Sequence, residues 1–181
     1  MKVWLVRHAQ PLIAPGICYG ATNMPAESQA TLEAAQALAR TLPPGIRVVA
    51  SPLQRCEQLA QCLRELRPDL PYITDARLAE MDFGCWEGQR WDAIPQADFD
   101  QWTAAFGTHR FGGRESVHEF MQRVAEAWTQ MQRLAQDTVW ITHAGVIGAA
   151  SLLSQGVLQV EQAAQWPQGG PAFGKWRELQ A

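Results

Sequence analysis

The chain has 181 residues, of which 47% are hydrophobic and 18% are charged. This length suits one domain of ordinary size, and the composition can fill a core, which argues against a disordered protein. The formal net charge of −3 gives no support for a partner such as nucleic acid or an anionic membrane.

No targeting or membrane segment is evident in the sequence. Residues 3–6 form the only apolar run before Arg7, shorter than the roughly 7–15 residues of a secretory signal. No stretch approaches the roughly 18 apolar residues that span a bilayer. The four cysteines form no C-x-x-C pair and match no zinc spacing. We therefore expect a cytoplasmic protein with free thiols.

The first half of the chain predicts two strands and two helices. Residues 2–6 (KVWLV) are typical of a buried strand, and the alanine- and leucine-rich residues 29–42 predict a helix. Residues 47–50 (RVVA) predict the second strand. Ser51 and Pro52 follow it directly, and these residue types are preferred at the N-cap and N1 positions. We therefore expect the second helix to begin there.

The middle of the chain predicts a short strand, an irregular excursion and a long helix. Residues 71–74 form the strand, and residues 80–113, rich in Trp and Gly, predict a lid-like excursion with short helices. Ser116 and Glu119 have the spacing of a capping box. The apolar stripe behind them predicts a long amphipathic helix.

The last part of the chain predicts a strand at residues 138–142, a small-residue helix at 144–153 and a final strand at 173–179. Strands that alternate with helices indicate an α/β layer fold with a mostly parallel sheet. We expect a single domain over residues 1–181.

Cationic side chains follow several predicted strands. Arg7 and His8 come after the first strand, Arg55 lies one helical turn beyond the second, and His143 follows the strand at 138–142. In open α/β sheets, ligands bind outside the carboxyl ends of the strands, where helix N-termini favour anions. Because guanidinium groups donate to phosphate oxygens in pairs, this convergence predicts a phosphate site.

The two histidines have no neighbours at metal-ligand spacing, and two guanidinium groups do not suit a metal site. A neutral imidazole would instead serve as a nucleophile for phosphorus, and a protonated one as a further cation. The leaving oxygen also needs an acid, for which Glu80 and Glu87 are candidates. Each residue alone would be taken as structural, so the prediction depends on their joint position.

Four segments in order resemble the histidine phosphatase superfamily, also called phosphoglycerate mutase-like. Residues 6–9 (VRHA) are similar to its R-H-G signature, and residues 51–60 (SPLQRCEQLA) to its S-P-L-x-R segment. Residues 78–88 (LAEMDFGCWEG) resemble its L-x-E-x-x-F-G-x-W-E-G segment. Residues 142–145 (THAG) resemble its second histidine motif.

The resemblance implies a three-layer α/β/α sandwich with a Rossmann-like sheet, and an enzyme that needs no metal or organic cofactor. It implies that His8 is the phosphohistidine nucleophile and that Glu80 is the proton donor, whereas Glu87 is structural. The phosphate pocket would comprise Arg7, Arg55 and His143. Ala14 and Glu33 stand where many members have Asn and Gly, which weakens the substrate assignment more than the chemistry.

Further details resemble the bacterial α-ribazole phosphatase branch of this superfamily. They are residues 7–11 (RHAQP), 18–23 (CYGATN), 111–116 (FGGRES) and the tail at 173–176 (FGKW). This resemblance implies hydrolysis of α-ribazole 5′-phosphate in cobalamin biosynthesis. The substrate contacts that we expect beyond the phosphate pocket are Gln10, Gly20, Thr22 and Ala144. Asn23 and Arg114 depart from the branch pattern.

Other functions remain open at this point. They include a broad-specificity or sugar-phosphate phosphatase, a phosphoglycerate mutase-like enzyme and a non-catalytic phosphate-binding scaffold. We expect a small phosphate ester as the partner and a monomer or homodimer as the assembly. The aromatic residues of the excursion would either stack on a base-like substrate or pack the excursion onto the sheet, and we favour packing. They are Trp86, Trp91, Trp102 and Phe111.

Overall fold

A five-stranded sheet forms the centre of the computed structural model, which describes residues 1–181. The strands are β1 (Lys2–Arg7), β2 (Arg47–Ala50), β3 (Tyr72–Thr74), β4 (Thr138–Thr142) and β5 (Trp176–Gln180). Their order across the sheet is β3-β2-β4-β1-β5. The first four strands pair in parallel, and β5 pairs antiparallel with β1 at one edge. The mostly parallel sheet is therefore confirmed.

Helices cover both faces of this sheet. The five helices are α1 (Ser28–Thr41), α2 (Gln54–Leu66), α3 (Gln96–Ala104), α4 (Val117–Leu134) and α5 (Ala144–Leu153). Successive residues of a strand point to opposite faces. In β1, Trp4 and Val6 pack with α1 and α2, whereas Val3 and Leu5 pack with α4 and α5. Two apolar cores thus enclose the sheet, which confirms the three-layer α/β/α sandwich.

The predicted start of α2 is wrong. The helix begins at Gln54, with Leu53 as an N-cap that has no side-chain hydrogen bond. The hydroxyl of Ser51 instead lies 2.8 Å from Nε2 of His143, and it accepts a hydrogen bond from the Leu53 amide at 3.3 Å. A tertiary contact at the end of β2 therefore takes the side chain that local preference assigns to a cap.

The last strand begins three residues later than predicted. Gly174 has a φ of +70°, and its amide donates to the carbonyls of Arg7 and His8 at 3.1 and 3.0 Å. The chain therefore turns across the end of β1 before it enters β5. Its left-handed backbone explains a glycine at this position.

The excursion at residues 80–113 is held together by aromatic packing. It contains α3 and three short 3-10 turns, and Phe111 is fully buried at its centre. Trp102 stacks on Phe111 with ring centroids 4.4 Å apart, and Trp91 stacks on it at 6.2 Å. Trp86 also contacts this ring. Packing on Phe111 therefore involves all three tryptophans of this segment.

The start of α4 agrees with the sequence, because Ser116 and Glu119 form the predicted reciprocal capping box. His118, on the first turn of that helix, lies 3.0 Å from the carbonyl of Val160 and so has a packing role. All four cysteines are free thiols. No helix combines the length and the apolar character that crossing a membrane requires.

Candidate active site

The ends of β1 and β4 bring two histidines and a buried arginine together. His8 follows β1 and His143 follows β4, and their ring centroids are 5.1 Å apart. The His8 amide donates to the carbonyl of Thr142 at 3.0 Å, which ties the two strand ends. Arg55, in the first turn of α2, is fully buried beside them. The predicted convergence of these side chains is therefore observed.

Two hydrogen bonds define the tautomer of His8. Nδ1 lies 2.7 Å from the carbonyl of Ala9, which can only accept, so this nitrogen carries the proton. The Nε–H of Arg55 donates to Nε2 of His8 at 3.3 Å, and a guanidinium can only donate. Both contacts leave a lone pair on Nε2. This nitrogen is therefore the one equipped to attack phosphorus.

The surroundings of His8 keep its imidazole neutral. Only 2% of the residue is exposed. Burial, reinforced by the positive charge of Arg55, lowers the pKa of His8 to about 3. The ring is consequently unprotonated at neutral pH, as a nucleophile must be.

A loop at residues 20–22 and Glu87 hold Arg55 in place. Nη1 of Arg55 donates to the carbonyl of Thr22 at 2.8 Å, and Nη2 donates to that of Gly20 at 2.6 Å. The carboxylate of Glu87 accepts from the amides of Ala21 and Thr22 at 2.8 and 2.6 Å, and from the Thr22 hydroxyl. Glu87 thus fixes the loop, and Gly20 and Thr22 orient the arginine through their backbone.

Arg7 presents a donor that the protein does not use. Its Nη1 donates to the carbonyl of Pro171 at 3.1 Å, and its guanidinium lies 3.8 Å from the ring centroid of Phe173. Its Nε is buried and has no hydrogen-bond partner. A guanidinium has five N–H donors, so its one hydrogen bond to Pro171 leaves other donors of Arg7 for the oxygens of an anionic ligand.

The sequence left the protonation state of His143 open, and burial in this site favours its neutral form. It is fully buried at the N-cap position of α5. Burial and the charge of Arg55 lower its pKa well below the usual value. Its Nε2 lies 2.8 Å from the hydroxyl of Ser51 and 3.5 Å from the sulfur of Cys56. In this state the ring can act as a hydrogen-bond donor or acceptor.

Glu80 lies beside the start of α5, where it contacts Gly145, two residues after His143. Its Oε2 accepts from the Gly145 amide at 3.0 Å, and its Oε1 accepts from the Met81 amide at 3.1 Å. Burial nevertheless raises the pKa of Glu80 above its usual value. A Cβ at position 145 would lie 2.3 Å from Oε1, so only glycine permits this approach. A carboxyl with a raised pKa can donate a proton.

Arg123 of α4 binds the backbone of the segment that carries Glu80. Its Nη1 donates to the carbonyls of Arg77 and Ala79, both at 2.7 Å, and its Nη2 donates to that of Glu80 at 3.0 Å. Its Nε donates to Glu115 at 2.6 Å. Sequence reasoning missed this residue, because an arginine on an amphipathic helix carries no local signal of such contacts.

Two further expected residues lie at the margin of this cluster. Gln10 is exposed, and its backbone carbonyl accepts from the amide of Glu27 at 2.8 Å. Ala144 is the first residue of α5. Phe173 contacts the ring of His8 at a centroid distance of 5.5 Å and was not singled out individually from the sequence. No three His, Cys, Asp or Glu side chains are grouped so as to hold a metal ion.

A comparison with models of protein families shows to which family this chain belongs. Residues 3–170 match the model of the histidine phosphatase superfamily (branch 1). The chain belongs to this superfamily. It is a phosphatase enzyme, and its fold is that of the phosphoglycerate mutase-like phosphatases. No curated protein sequence gives a significant match.

Several solved structures resemble the chain over nearly its whole length. An α-ribazole phosphatase from Shigella flexneri has a TM-score of 0.77 at 23% identity, with 99% of this chain and 90% of that chain covered. A mycobacterial glucosyl-3-phosphoglycerate phosphatase gives 0.78 at 22% identity, with 98% and 88% covered. The protein TTHB049 from Thermus thermophilus gives 0.73 at 26% identity, with 99% and 93% covered.

Proposed function

We propose that this phosphatase hydrolyses a small phosphate monoester through a phosphohistidine formed on Nε2 of His8. The observation that carries the proposal is the state of that nitrogen: it is unprotonated, and Arg55 lies 3.3 Å away. Attack on phosphorus needs the lone pair of Nε2, so the Nε–H of Arg55 that donates to it must first turn to a phosphate oxygen, where the transferring group needs a cation. The reaction as written needs no metal ion or organic cofactor.

In the first step, Nε2 attacks phosphorus as the bond to the ester oxygen breaks. Arg7, Arg55 and His143 hold the equatorial oxygens, where charge is spread in the transition state. A phosphate dianion beside His143 opposes the effect of the arginines on its pKa and favours its protonated form. Protonated Glu80 gives its proton to the leaving oxygen, which departs as an alcohol.

In the second step, water attacks the phosphohistidine. Glu80, now a carboxylate, accepts a proton from that water as the phosphorus–nitrogen bond breaks. His8 regains its lone pair on Nε2, and inorganic phosphate leaves. Throughout the cycle, the Nδ1–H of His8 keeps its hydrogen bond to the Ala9 carbonyl, which holds the ring in one orientation.

For the native substrate we propose α-ribazole 5′-phosphate, in cobalamin biosynthesis in the cytoplasm. The support is the set of branch-like segments, at residues 7–11, 18–23, 111–116 and 173–176. The second candidate is a broad-specificity or sugar-phosphate phosphatase, because a structural relative acts on a different ester, glucosyl-3-phosphoglycerate. A mutase that transfers the phosphoryl group within a phosphoglycerate is a third.

The test is phosphate release in the presence of EDTA from α-ribazole 5′-phosphate, ribose 5-phosphate, 3-phosphoglycerate and p-nitrophenyl phosphate. The variant His8→Ala should lose all activity, whereas His109→Ala, a histidine outside the site, controls for the substitution. A kcat/KM that is highest for α-ribazole 5′-phosphate supports the proposal. A flat profile indicates the broad-specificity enzyme, and isomerised phosphoglycerate without net release indicates the mutase. Full activity of His8→Ala would overturn the mechanism.

A further inference from the structure

The segment that leads into β5 makes a tight turn against the end of β1. The amide of Lys175 donates to the carbonyl of Ala172 at 3.0 Å, which closes a β-turn. Gly174 is the third residue of this turn, and its φ of +70° is the left-handed backbone that a type II turn requires there. The Gly174 amide donates to the carbonyls of Arg7 and His8, and the Arg7 amide donates to the carbonyl of Lys175 at 2.9 Å. The backbone of the turn is therefore attached to two residues of the candidate active site.

Phe173 is the second residue of this turn, and its ring contacts both of those side chains. The ring centroid lies 3.8 Å from Cζ of Arg7 and 5.5 Å from the ring centroid of His8. Phe173 is half-buried. An aromatic face attracts a guanidinium, and the attraction is stronger where water is excluded. One side chain therefore touches both the proposed nucleophile and a proposed ligand of the phosphate.

Two contacts from this segment hold the side chain of Arg7. Its Nη1 donates to the carbonyl of Pro171 at 3.1 Å, and the ring of Phe173 covers its guanidinium. Arginine stacks on aromatic faces, which leaves the N–H bonds at the edge of its planar group free to donate. A long side chain that is ordered before a ligand arrives loses less conformational entropy on binding. The turn thus prepares Arg7 for an anion.

We infer that Phe173 is a positioning residue, which holds the guanidinium of Arg7 in the orientation that binds the phosphoryl group. The ring restricts rotation of the arginine side chain, while Pro171 fixes one of its N–H groups. The effect of Phe173 on the phosphate therefore passes through Arg7. This inference rests on the proposed function, because it takes Arg7 as a ligand of the phosphate.

The contact between Phe173 and His8 allows a different role, in which the ring only shields the nucleophile from water. Shielding of His8 predicts a lower kcat with an unchanged affinity for inorganic phosphate. Positioning of Arg7 predicts a weaker affinity for inorganic phosphate. Equilibrium binding of phosphate therefore separates the two roles.

The experiment measures the Kd of inorganic phosphate by isothermal titration. Phe173→Leu keeps apolar bulk and removes the aromatic face, so phosphate should bind roughly 2- to 12-fold more weakly, the cost of ordering one long side chain. Phe173→Tyr keeps the ring and should retain the wild-type Kd. The matched control is Tyr72→Leu, which removes a ring that lies 5.6 Å from Cζ of Arg64 on the edge strand β3. A wild-type Kd in Phe173→Leu, with or without a change in kcat, overturns the inference.

A double-mutant cycle tests whether the ring acts through Arg7. Arg7→Ala removes the guanidinium, so the addition of Phe173→Leu to this variant should cause no further loss of phosphate affinity. An equal loss in the wild-type and Arg7→Ala backgrounds would mean that Phe173 acts independently of the arginine, which contradicts the inference.

The mobility of Arg7 is a readout that needs no ligand. Its Nε–H is buried, so it should give an NMR signal, which is assigned by its absence in Arg7→Lys. The order parameter of this N–H group should fall in Phe173→Leu and keep its wild-type value in Tyr72→Leu. An unchanged order parameter in Phe173→Leu contradicts a positioning role.

Phosphate binding and turnover can fail separately. If no ester is hydrolysed but the Kd and the order parameter change as expected, the proposed reaction fails and the role of Phe173 stands. If esters are hydrolysed and Phe173→Leu binds phosphate as wild type does, the reaction stands and the role of Phe173 fails. A wild-type protein that binds no phosphate would contradict both the phosphate pocket and this inference.

Discussion

Arg123 and Glu80 are joined through the backbone, with Nη2 of the arginine donating to the carbonyl of Glu80 at 3.0 Å. The same guanidinium binds the carbonyls of Arg77 and Ala79 and pairs with Glu115. One side chain of α4 therefore anchors the segment that presents the proposed proton donor. Its effect on catalysis would be through position, because it acts on the backbone of Glu80.

Replacement of this anchor should slow catalysis without unfolding the protein. Arg123→Lys keeps the charge but cannot reach several carbonyls at once, so kcat should fall roughly 10- to 100-fold as Glu80 loses its position. The alkaline limb of the kcat profile should also shift, which a purely structural defect would not cause. Arg133→Lys, at the exposed end of the same helix, is the matched control.

The leaving group should determine how much activity depends on Glu80. Its raised pKa means that the active, protonated form is present at low pH and is lost as pH rises through that pKa. Glu80→Gln should slow hydrolysis of alkyl phosphates by roughly 10²–10⁴-fold and flatten this alkaline limb. p-Nitrophenyl phosphate, whose leaving group needs no proton, should lose far less in its phosphorylation step. Equal losses of the phosphorylation rate for both esters, measured in single turnovers, would exclude Glu80 as the acid.

The guanidinium of Arg7 should contribute measurably to the affinity for phosphate. Arg7→Lys removes the planar fork while keeping a positive charge, so inorganic phosphate should inhibit the variant roughly 10- to 100-fold less tightly. The readout is the inhibition constant of phosphate. Arg40→Lys, in the last turn of α1, serves as control. An unchanged constant in Arg7→Lys would remove this residue from the phosphate pocket.

A side chain at position 145 should lower activity. In Gly145→Ala the new Cβ would meet Oε1 of Glu80 at 2.3 Å, which forces the carboxyl to move. We expect kcat to fall roughly 10²-fold for a displacement of about 1 Å, with little change in Tm. Gly170→Ala is a fair comparison, because its Cβ would have no neighbour closer than 3.9 Å. Wild-type kcat in Gly145→Ala would mean that Glu80 is not placed as described.

The buried neutral histidine should make the protein sensitive to acid. Below its usual pKa of 6.5, His8 binds a proton in the unfolded chain, but in the folded protein it stays neutral down to about pH 3. The unfolded state therefore binds more protons, and stability falls by about 1.4 kcal/mol per pH unit for such a group as pH decreases. His8→Gln should show a shallower loss of unfolding free energy between pH 6.5 and 4 in urea titrations than either wild type or His109→Gln.

Local sequence patterns were sufficient to predict the order of the strands and helices and most residues of the candidate active site. Residues 47–50, 138–142 and 144–153 have the bounds that the sequence predicts, because apolar runs between turn residues leave few alternatives. The rule that ligands meet parallel strand ends was enough to bring Arg7, His8, Arg55 and His143 together. The capping box at Ser116 is likewise a contact within four residues.

Contacts between residues far apart in the sequence determined the hydrogen bonds of the site and the tautomer of His8. Ser51 has the composition of a helix cap, yet it contacts His143, 92 residues away. The tautomer of His8 follows from Arg55, and Arg123 acts on carbonyls more than 40 residues distant. Burial, which a sequence pattern does not measure, lowers the pKa of both site histidines and raises that of Glu80. The sequence by itself thus determined which groups gather at the strand ends, whereas packing decided their protonation and their orientation.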